Sequence, residues 1–555
     1  MNYRVIFLLL SAFVASRAFT VPESNIHASI SVGARQKARV LRTTSVKIAS
    51  TIVDNDIGSV GIRSEQPQEQ RRDEDTFDWF KAWYPLVPVE ILDPEIPHHF
   101  TLLGMDLVVW NDGKIPGVAF QSKKDRPKNA KREMGEWRVF EDECPHRKVP
   151  LSEGRVEDDG SLLCSYHGWQ FEGTQGKLVD VPQLEQDSAQ LQAVQMNPKS
   201  QCSSFPVQIV DGVLWIWPST GDDARLESAL TPVNSYQGHK EIEATSPDRV
   251  WYGPWNYRQL PYGADFFIEN VVDPAHVSIS HHNVVGSRYS DQRMSMKHIT
   301  KLTKDGFAVE VNVQGNNSTT TFSAPSHVAI EAPFGDKGAF QCLELYASPS
   351  LPGFSNHVGR IIVVKDEAGA TPKLLRTFTA PIPKWLNHVL AAAFLNQDAV
   401  FLHQQERLMA KKGQYTTLNN SNKDHHSGDE YSQAVLPIEA DKGVLFFRQW
   451  MSKFAGKRIP YKNNPTMPPV DSSVCFDQYN SHMATCQICQ TALRRLKKIR
   501  FVSFFLATCL AVVRPLQRRP LWNFASVLVS AGLGLGLNKL IGMFYKYEFS
   551  HSHND

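Results

Sequence analysis

The chain has 555 residues, of which 42% are apolar, and 59 Lys and Arg residues stand against 57 Asp and Glu. This length allows more than one packed core, and the nearly balanced charge argues against a general nucleic-acid partner or a strongly acidic substrate. The eight cysteines are too few and too scattered for a disulfide scaffold. Metal binding or redox chemistry is therefore the favoured use for them.

The N-terminal segment has the composition of targeting peptides. A basic start and the apolar run from Val5 to Ala15 predict a secretory signal peptide over residues 1–18. Residues 19–53 are rich in Ser, Thr, Ala and Arg, which is typical of a transit peptide. Two such signals in series resemble the bipartite leaders that lead to secondary plastids, so we expect a plastid protein. The alternative is a secreted protein with a disordered stalk.

The middle of the chain predicts two domains of an α+β protein. Residues 54–76 are polar and are expected to form a solvated linker. From 77 to 220, short apolar runs separated by Gly, Asp and Pro predict an all-β domain. Residues 241–465 combine strand-like runs, such as 309–313 and 357–364, with an amphipathic helix from about Pro383 to Lys411. This mixture predicts an α+β second domain.

Residues 496–545 contain two apolar runs, 501–513 and 521–537. Both runs are shorter than the ~20 residues that span a bilayer. Two short spans, one span with an interfacial helix, or a buried helical hairpin are the alternatives. Basic residues at both ends of the first run favour membrane attachment, and the spacing of Gly532, Gly534 and Gly536 suits close helix packing in lipid.

A first metal motif is formed by Cys144, His146, Cys164 and His167. Each half offers one thiolate and one imidazole, which is the division that a Rieske [2Fe-2S] cluster needs, since two thiolates hold one iron and two imidazoles the other. Zinc also accepts Cys2His2 sets, but zinc fingers usually pair Cys with Cys and His with His. We therefore interpret these four residues as cluster ligands.

A second group, Asp273, His276 and His281, lies in a short stretch. Asp273-Pro274 is a good helix start, with Asp as N-cap and Pro at the first helical position. On an ideal helix the two imidazoles lie roughly 140° apart. Their convergence on one ion would require a π-bulge or a helix end between them.

A mononuclear Fe(II) site needs two histidines and a carboxylate on one face. Asp398 interrupts an apolar row at i+4 spacing in the predicted helix. Because a bare carboxylate on a buried face is costly, we expect Asp398 to be the third ligand. Glu406 is the rival ligand, and a partly solvated position is the plain alternative for Asp398.

With both motifs in view, the chain resembles the plant and algal pheophorbide a oxygenase family, a membrane-attached group of Rieske oxygenases. The resemblance runs from about Phe77 to the C-terminus. It is carried by the stretch from Phe77 to Pro85, the Cys144-Pro145-His146-Arg147 and Tyr166-His167-Gly168-Trp169 loops, the motif from Asn270 to His281, Asn396-Gln397-Asp398, and the Cys486/Cys489 pair.

The resemblance implies a Rieske [2Fe-2S] domain at 77–220 and a helix-grip (START-like) catalytic domain at 241–465. It also implies C-terminal membrane helices at 496–545 and a homotrimer. His276, His281 and Asp398 would hold the mononuclear Fe(II). Electrons from ferredoxin would cross from one subunit's cluster to the neighbour's iron through Asp273. An external donor is expected because no Gly-x-Gly-x-x-Gly fingerprint occurs in the sequence.

The activity implied by the resemblance is the insertion of oxygen from O2 into a chlorophyll-derived tetrapyrrole. Pheophorbide a, with opening of the macrocycle, is the first expectation. The alternatives are oxidation of protochlorophyllide, chlorophyllide or another hydrophobic molecule such as a sterol. A non-catalytic Rieske redox sensor attached to an envelope complex is the alternative from another class.

Cys486 and Cys489, in the segment 470–493, resemble a Cys-x-x-Cys pair of several family members, for which control by thioredoxin has been inferred. We hypothesise a redox-sensitive pair. As a bare motif, a zinc half-site or two ordinary thiols explain the spacing equally well.

Overall fold

The computed structural model describes residues 76–115, 131–282, 287–313, 315–335, 337–373, 375–377, 379–411, 434–513 and 520–548. The predicted signal peptide, the predicted transit peptide and all but the last residue of the predicted linker lie outside the described residues.

The described residues form eighteen strands, each paired with its neighbours in antiparallel fashion. The strands are β1 (Tyr84–Pro88), β2 (His98–Leu102), β3 (Met105–Asn111), β4 (Trp137–Glu141), β5 (Arg155–Val156), β6 (Leu162–Leu163), β7 (Gln170–Phe171), β8 (Leu178–Asp180), β9 (Val207–Val210), β10 (Val213–Ile216), β11 (Val250–Tyr252), β12 (Asn256–Leu260), β13 (Ser295–His298), β14 (Gly306–Val313), β15 (Asn316–Ser323), β16 (His327–Phe334), β17 (Ala339–Pro349) and β18 (Ser355–Val364).

Nine α-helices accompany these strands in the described part of the chain. They are α1 (Ala189–Gln195), α2 (Asp222–Leu230), α3 (Lys240–Thr245), α4 (Ala264–Val272), α5 (His276–Ser280), α6 (Lys384–Lys411), α7 (Lys442–Lys453), α8 (Gln487–Val513) and α9 (Pro520–Gly542). A π-helical turn, Tyr479–Met483, precedes α8.

The first region is built from three small sheets, with strand orders β1-β10-β9, β2-β3-β4 and β5-β6-β7-β8. Their Val-, Leu- and Trp-rich runs suit this structure because branched and aromatic side chains pack well on a pleated surface. A separate core around Val108, Trp110 and Phe140 encloses Cys144 and Cys164. The predicted β-rich region is therefore present.

The second region is an eight-stranded sheet with the path β11-β18-β17-β16-β15-β14-β13, and β12 also pairs with β18. All ten residues of β18 are buried, as expected for a strand that is covered on both faces. Helix α4 packs on β15, β16 and β17 and also on α6 and α7, while α6 packs on β12. The mixed α+β class is thus confirmed, with helices laid against a large antiparallel sheet.

The helix predicted from about Pro383 to Lys411 is α6. Helix α4 ends at Val272 and α5 begins at His276, so the regular helix starts two residues after Pro274, the predicted first helical position. The capping contact predicted for Asp273 is present. Its backbone is extended, as the following proline favours, and its Oδ1 accepts a hydrogen bond from the backbone N–H of Ala275 at 2.8 Å, as the side chain of an N-cap residue does.

The C-terminal helices α8 and α9 pack against each other, and the residues after α9 return to helix α6 of the second region. Phe544 is fully buried and its ring stacks on Trp385 of α6 at 5.8 Å. Asn396 Nδ2 donates to the backbone oxygen of Tyr547 at 2.7 Å. Among the described helices, one segment, Phe524–Gly542, is long and apolar enough to cross a membrane.

Candidate cluster site and iron site

The two loops of the first motif share one backbone geometry. The Cys144 N–H donates to Val149 O and the Lys148 N–H donates to Cys144 O, at 2.9 and 2.8 Å. The second loop repeats both bonds between Cys164, Gly168 and Trp169, each at 2.9 Å. In each loop the fifth residue has a positive φ, 61° at Lys148 and 76° at Gly168. Two tight turns of the same form therefore face each other.

The two loops bring the four predicted cluster ligands together, with sulfur on the inside and nitrogen on the outside. Cys144 and Cys164 are both about 1% exposed, whereas His146 is exposed and His167 half-buried. The two imidazole rings are 4.6 Å apart, and Trp169 stacks on His146 at 4.7 Å. A buried thiolate pair beside an outer imidazole pair is the donor arrangement of a Rieske [2Fe-2S] cluster.

The polarity around the sulfurs also suits an anionic cluster. Burial raises the pKa of the Cys144 thiol to about 11, against the opposing effect of hydrogen bonds from the backbone N–H groups of His146 and Arg147. Those N–H groups provide fixed donors to cluster sulfur, and such hydrogen bonds are among the factors that set the reduction potential.

The second site lies where α5 ends against the middle of α6. One ligand atom each from His276, His281 and Asp398 can be chosen so that all lie within 4.8 Å of one another. His281 Nε2 is 3.1 Å and His276 Nε2 is 3.9 Å from Asp398 Oδ2. Helix α5 ends at Ser280, so a helix end separates the two imidazoles, as their convergence requires.

The surroundings orient each of these side chains. His281 Nδ1 is 2.7 Å from Gln397 Oε1, an arrangement in which Nδ1–H donates and Nε2 presents its lone pair. Asp398 Oδ2 accepts from Asn270 Nδ2 at 3.2 Å, and Oδ1 accepts from the Ser280 hydroxyl. His281 Nε2 is buried and makes no hydrogen bond to the described residues. This set of two imidazoles and one carboxylate fits a mononuclear non-haem iron.

The carboxylate of Asp398 is 6% exposed and ionised. Burial alone would raise its pKa, but the nearby His281 and His276 and the Ser280 hydroxyl hold the pKa well below its usual range. An ionised carboxylate between two imidazoles is the electrostatic environment that a divalent cation requires.

Asp273 lies on the outer side of His276. Its Oδ2 is 3.6 Å from His276 Nδ1, the ring atom opposite the one that faces Asp398. The Asp273 side chain is 27% exposed, so it is partly open to solvent on the side away from Asp398.

Glu406, the rival ligand, lies outside this group. Its Oε2 accepts a hydrogen bond from the backbone N–H of Gly263 at 3.0 Å and is 3.4 Å from Arg407 Nη1. Burial raises the pKa of Glu406 to about 8. Its position two turns beyond Asp398 on α6 makes it part of the packing between that helix and the start of α4.

A largely apolar cavity opens from the three ligands and extends along the sheet, with about 1620 Å³ of empty volume including its mouth. One wall is the sheet face, including Val311, Ile330 and Leu343. The other wall is helical, including Phe267 and Leu395.

Polar groups on the sheet side of the cavity include Gln341, His357 and Arg360. Burial lowers the pKa of His357 to about 4, so its ring is neutral at physiological pH. Gln341 Oε1 is buried without a hydrogen-bond donor among the described residues. It is therefore available to accept a hydrogen bond from a bound molecule.

Sequence reasoning did not assign roles to Gln397, Ser280, Asn270 or Gln341. Gln397 and Asn270 lie within the family motifs, but their partners are on other elements, 116 and 128 residues away. Gln341 has a weak sequence signal as a polar residue within the apolar strand β17.

Comparison with known proteins agrees with this geometry. Residues 82–198 match the Rieske [2Fe-2S] domain family, and residues 322–416 match the pheophorbide a oxygenase family. The chain is 29% identical over 518 residues to a chloroplastic pheophorbide a oxygenase of Oryza sativa subsp. japonica, covering 88% of each chain. It is 28% identical over 515 residues to flavonoid 8-hydroxylase 2, chloroplastic, of Ocimum basilicum, covering 86% of this chain and 87% of the other. A dicamba monooxygenase structure matches with 18% identity and a TM-score of 0.44, covering 68% of this chain and 99% of that one.

The two donor sets and the domain matches define a Rieske-type non-haem iron oxygenase, with a [2Fe-2S] cluster and a mononuclear iron as its cofactors. Such an enzyme uses O2, a small-molecule substrate and an electron donor. Within this class, residues 322–416 match the pheophorbide a oxygenase family, and the chain is similar along most of its length to the pheophorbide a oxygenase named above.

Proposed function

We propose that this oxygenase inserts oxygen into a chlorophyll-derived tetrapyrrole, with pheophorbide a as the substrate and opening of the macrocycle as the outcome. The observation that carries the proposal is the broad apolar cavity that ends at His276, His281 and Asp398. A large flat substrate suits it because one of its walls is the face of a sheet.

In this proposal, the apolar walls bind the macrocycle and exclude water, and Gln341 accepts a hydrogen bond from a polar group at its edge. Gln397 orients His281, while Ser280 and Asn270 hold the carboxylate of Asp398. The bound iron and cluster supply the oxygen chemistry and the electrons. The residues of the chain position the substrate and the iron ligands, exclude water from the cavity and supply the fixed negative charge of Asp398.

The proposal also includes the route and the donor of the electrons. The outer position of His146 and the partial exposure of Asp273 suit transfer between subunits, so we propose a homotrimer in which the cluster of one subunit serves the iron of its neighbour. Ferredoxin is the proposed donor. The relatives named above are chloroplastic, which supports a plastid location, and the apolar face of α9 supports attachment to a plastid membrane.

The proposal is tested with detergent-purified, iron-loaded full-length protein, ferredoxin, ferredoxin reductase and NADPH. The panel contains pheophorbide a, chlorophyllide a, protochlorophyllide, a flavone and a methylsterol. We expect consumption of pheophorbide a, with label from ¹⁸O2 in a ring-opened product identified by mass. The Asp398→Ala variant should retain the cluster spectrum and form no product.

Other outcomes would overturn parts of the proposal. Turnover of the flavone or the sterol but of no pigment would replace the substrate class and keep the oxygenase. Reversible reduction of the cluster with no substrate-dependent O2 uptake across the panel would favour the redox-sensor alternative.

A further inference from the structure

A second group of metal-binding side chains lies apart from both iron centres. It consists of His388 on α6, His482 in the π-helical turn, and Cys486 and Cys489 around the start of α8. All four side chains are buried, at 3%, 4%, 0% and 0% exposure. One ligand atom from each lies within 4.8 Å of every other.

The distances between these atoms approximate the edges of a tetrahedron around one ion. His388 Nδ1 is 3.2 Å from His482 Nε2, 3.3 Å from Cys489 Sγ and 3.6 Å from Cys486 Sγ. Cys489 Sγ is 3.4 Å from His482 Nε2. Zn–N bonds of about 2.0–2.1 Å and Zn–S bonds of about 2.3 Å at tetrahedral angles give edges of roughly 3.3–3.8 Å. These four of the six edges therefore match this geometry within a few tenths of an ångström, and the other two are no longer than 4.8 Å.

The ring of His482 is held in the orientation that a metal ligand needs. Its Nδ1 is 2.6 Å from the backbone oxygen of Tyr257. A carbonyl oxygen can only accept, so Nδ1 carries the proton and Nε2 presents a lone pair to the group. A histidine ligand anchored by its second nitrogen in this way is the usual arrangement at metal sites.

The sulfur of Cys486 receives a backbone hydrogen bond. The N–H of Cys489 donates to Cys486 Sγ at 3.4 Å, a contact that favours the thiolate form of the sulfur. His388 Nε2 makes no hydrogen bond to the described residues, so its Nδ1 is the ring atom engaged in the group.

We infer that His388, His482, Cys486 and Cys489 bind one zinc ion in a closed structural site. Two thiolates and two imidazoles in a tetrahedron are a zinc donor set, and four protein ligands leave no position open for catalysis. The ligand atoms are too close together to hold a two-iron cluster between them. The inference does not depend on the substrate proposed above.

The site connects the catalytic helix to the C-terminal helices. His388 precedes Asp398 by ten residues on α6, which is about 15 Å along the helix axis. Cys486 and Cys489 are at the base of α8. A metal bound here fixes α6, and with it the iron ligand Asp398, relative to the helices that we propose to attach the protein to the membrane.

The redox-pair hypothesis for Cys486 and Cys489 makes a different prediction. Both cysteines are fully buried as free thiols, so direct attack by thioredoxin would require the start of α8 to open. Zinc binding and disulfide formation use the same two sulfur atoms, so one experiment separates them.

The test begins with the full-length wild-type protein, purified in detergent from cells supplied with zinc and iron. We expect about one zinc per chain besides the iron of the two centres. X-ray absorption at the zinc edge should give two sulfur atoms at about 2.3 Å and two nitrogen atoms at about 2.0–2.1 Å. Both readouts are independent of activity.

A pair of variants assigns the ion to this group. Cys486→Ser with Cys489→Ser should reduce the zinc content at least tenfold while the electron paramagnetic resonance spectrum of the Rieske cluster is retained. Cys475→Ser is the matched control, since Cys475 is equally buried and donates to Ala399 O at 3.7 Å outside the group. The control should keep its zinc.

The wild-type measurement decides the matter if the double variant does not fold. Wild-type protein with its full iron content and less than a tenth of a zinc per chain would overturn the inference. A Cys486–Cys489 disulfide, found by peptide mass mapping of protein purified without reductant, would overturn it in favour of the redox pair.

Discussion

At the scale of single residues, the iron site depends on side chains that are not ligands. Gln397 accepts a hydrogen bond from His281 Nδ1 and so selects the ring tautomer whose Nε2 faces Asp398. A neighbour of this kind typically contributes 10–100-fold to metal affinity. Gln397 is therefore a positioning residue for the mononuclear iron.

Gln397→Leu should weaken binding of Fe(II) by about 10–100-fold, because the acceptor for Nδ1–H is lost. Iron titration of the apoprotein, followed by the iron content after gel filtration, measures the effect. The cluster spectrum should not change. Gln404→Leu, an exposed position on the same helix, is the control. Equal iron affinity in the two variants would contradict the positioning role.

A substitution at Asp273, again a single residue, tests the proposed path of the electrons. Asp273→Asn keeps the size of the side chain and an oxygen for the N–H of Ala275, but removes the charge beside His276 Nδ1. We expect both metal centres to be retained. Substrate-dependent reoxidation of the pre-reduced cluster, followed by stopped-flow absorbance, should slow by at least tenfold. Reoxidation at the wild-type rate would remove Asp273 from the path.

At the scale of secondary-structure elements, the site depends on how closely α4 and α7 approach. A Cβ atom on Gly443 of α7 would lie 2.3 Å from the backbone oxygen of Val272, the last residue of α4. Asp273 and the break before α5 come directly after Val272 in the chain. The spacing of two helices therefore determines where the histidine motif begins.

Gly443→Ala should destabilise the protein by about 1–3 kcal/mol through overpacking, and should lower iron occupancy because the start of α5 is displaced. Thermal unfolding and iron content are the measurements. Gly532→Ala is the matched control, since a Cβ at Gly532 meets no atom within 4 Å. An unchanged unfolding midpoint in Gly443→Ala would show that the two helices can separate without cost.

At the scale of the whole molecule, α8 and α9 form a hairpin whose outer surface is apolar. Leu528, Val529 and Leu533 of α9 are 56%, 71% and 52% exposed, an unusual apolar surface for a helix in water. Gly534 allows close contact with α8, because a Cβ there would lie 2.8 Å from the ring of Phe504. Arg500 Nη1 donates to Asn538 Oδ1 at 2.7 Å, at the end of the hairpin nearer the catalytic region.

Val529→Asp with Leu533→Asp should move the protein from the carbonate-resistant membrane pellet to the supernatant. Each acidic residue costs about 2.5–3.5 kcal/mol at the centre of a bilayer. Leu226→Asp with Leu230→Asp, on α2, is the control, because those positions are 62% and 75% exposed and lie outside the hairpin. If both double variants stay in the pellet, the attachment is not through α9.

Features that depend on short spacing along the chain could be predicted from the sequence. Cys144/His146 and Cys164/His167 each occupy one tight turn, so the order of residues along the chain already sets which side chains share a loop. Helix α6 followed from its periodicity, and the β-rich region followed from short apolar runs between turn residues. The cluster and the family could be inferred for the same reason.

The contacts between distant side chains could not be predicted from the sequence and are known from the three-dimensional packing. The choice of Asp398 over Glu406 depends on which turn of α6 faces α5, and neither periodicity nor propensity specifies that. The partnership of Gln397 with His281 and the convergence of His388 and His482 on Cys486 and Cys489 join residues far apart in sequence. Such contacts arise from the packing of one element on another, because a local pattern of residues determines an element and its buried face but not the element that packs there.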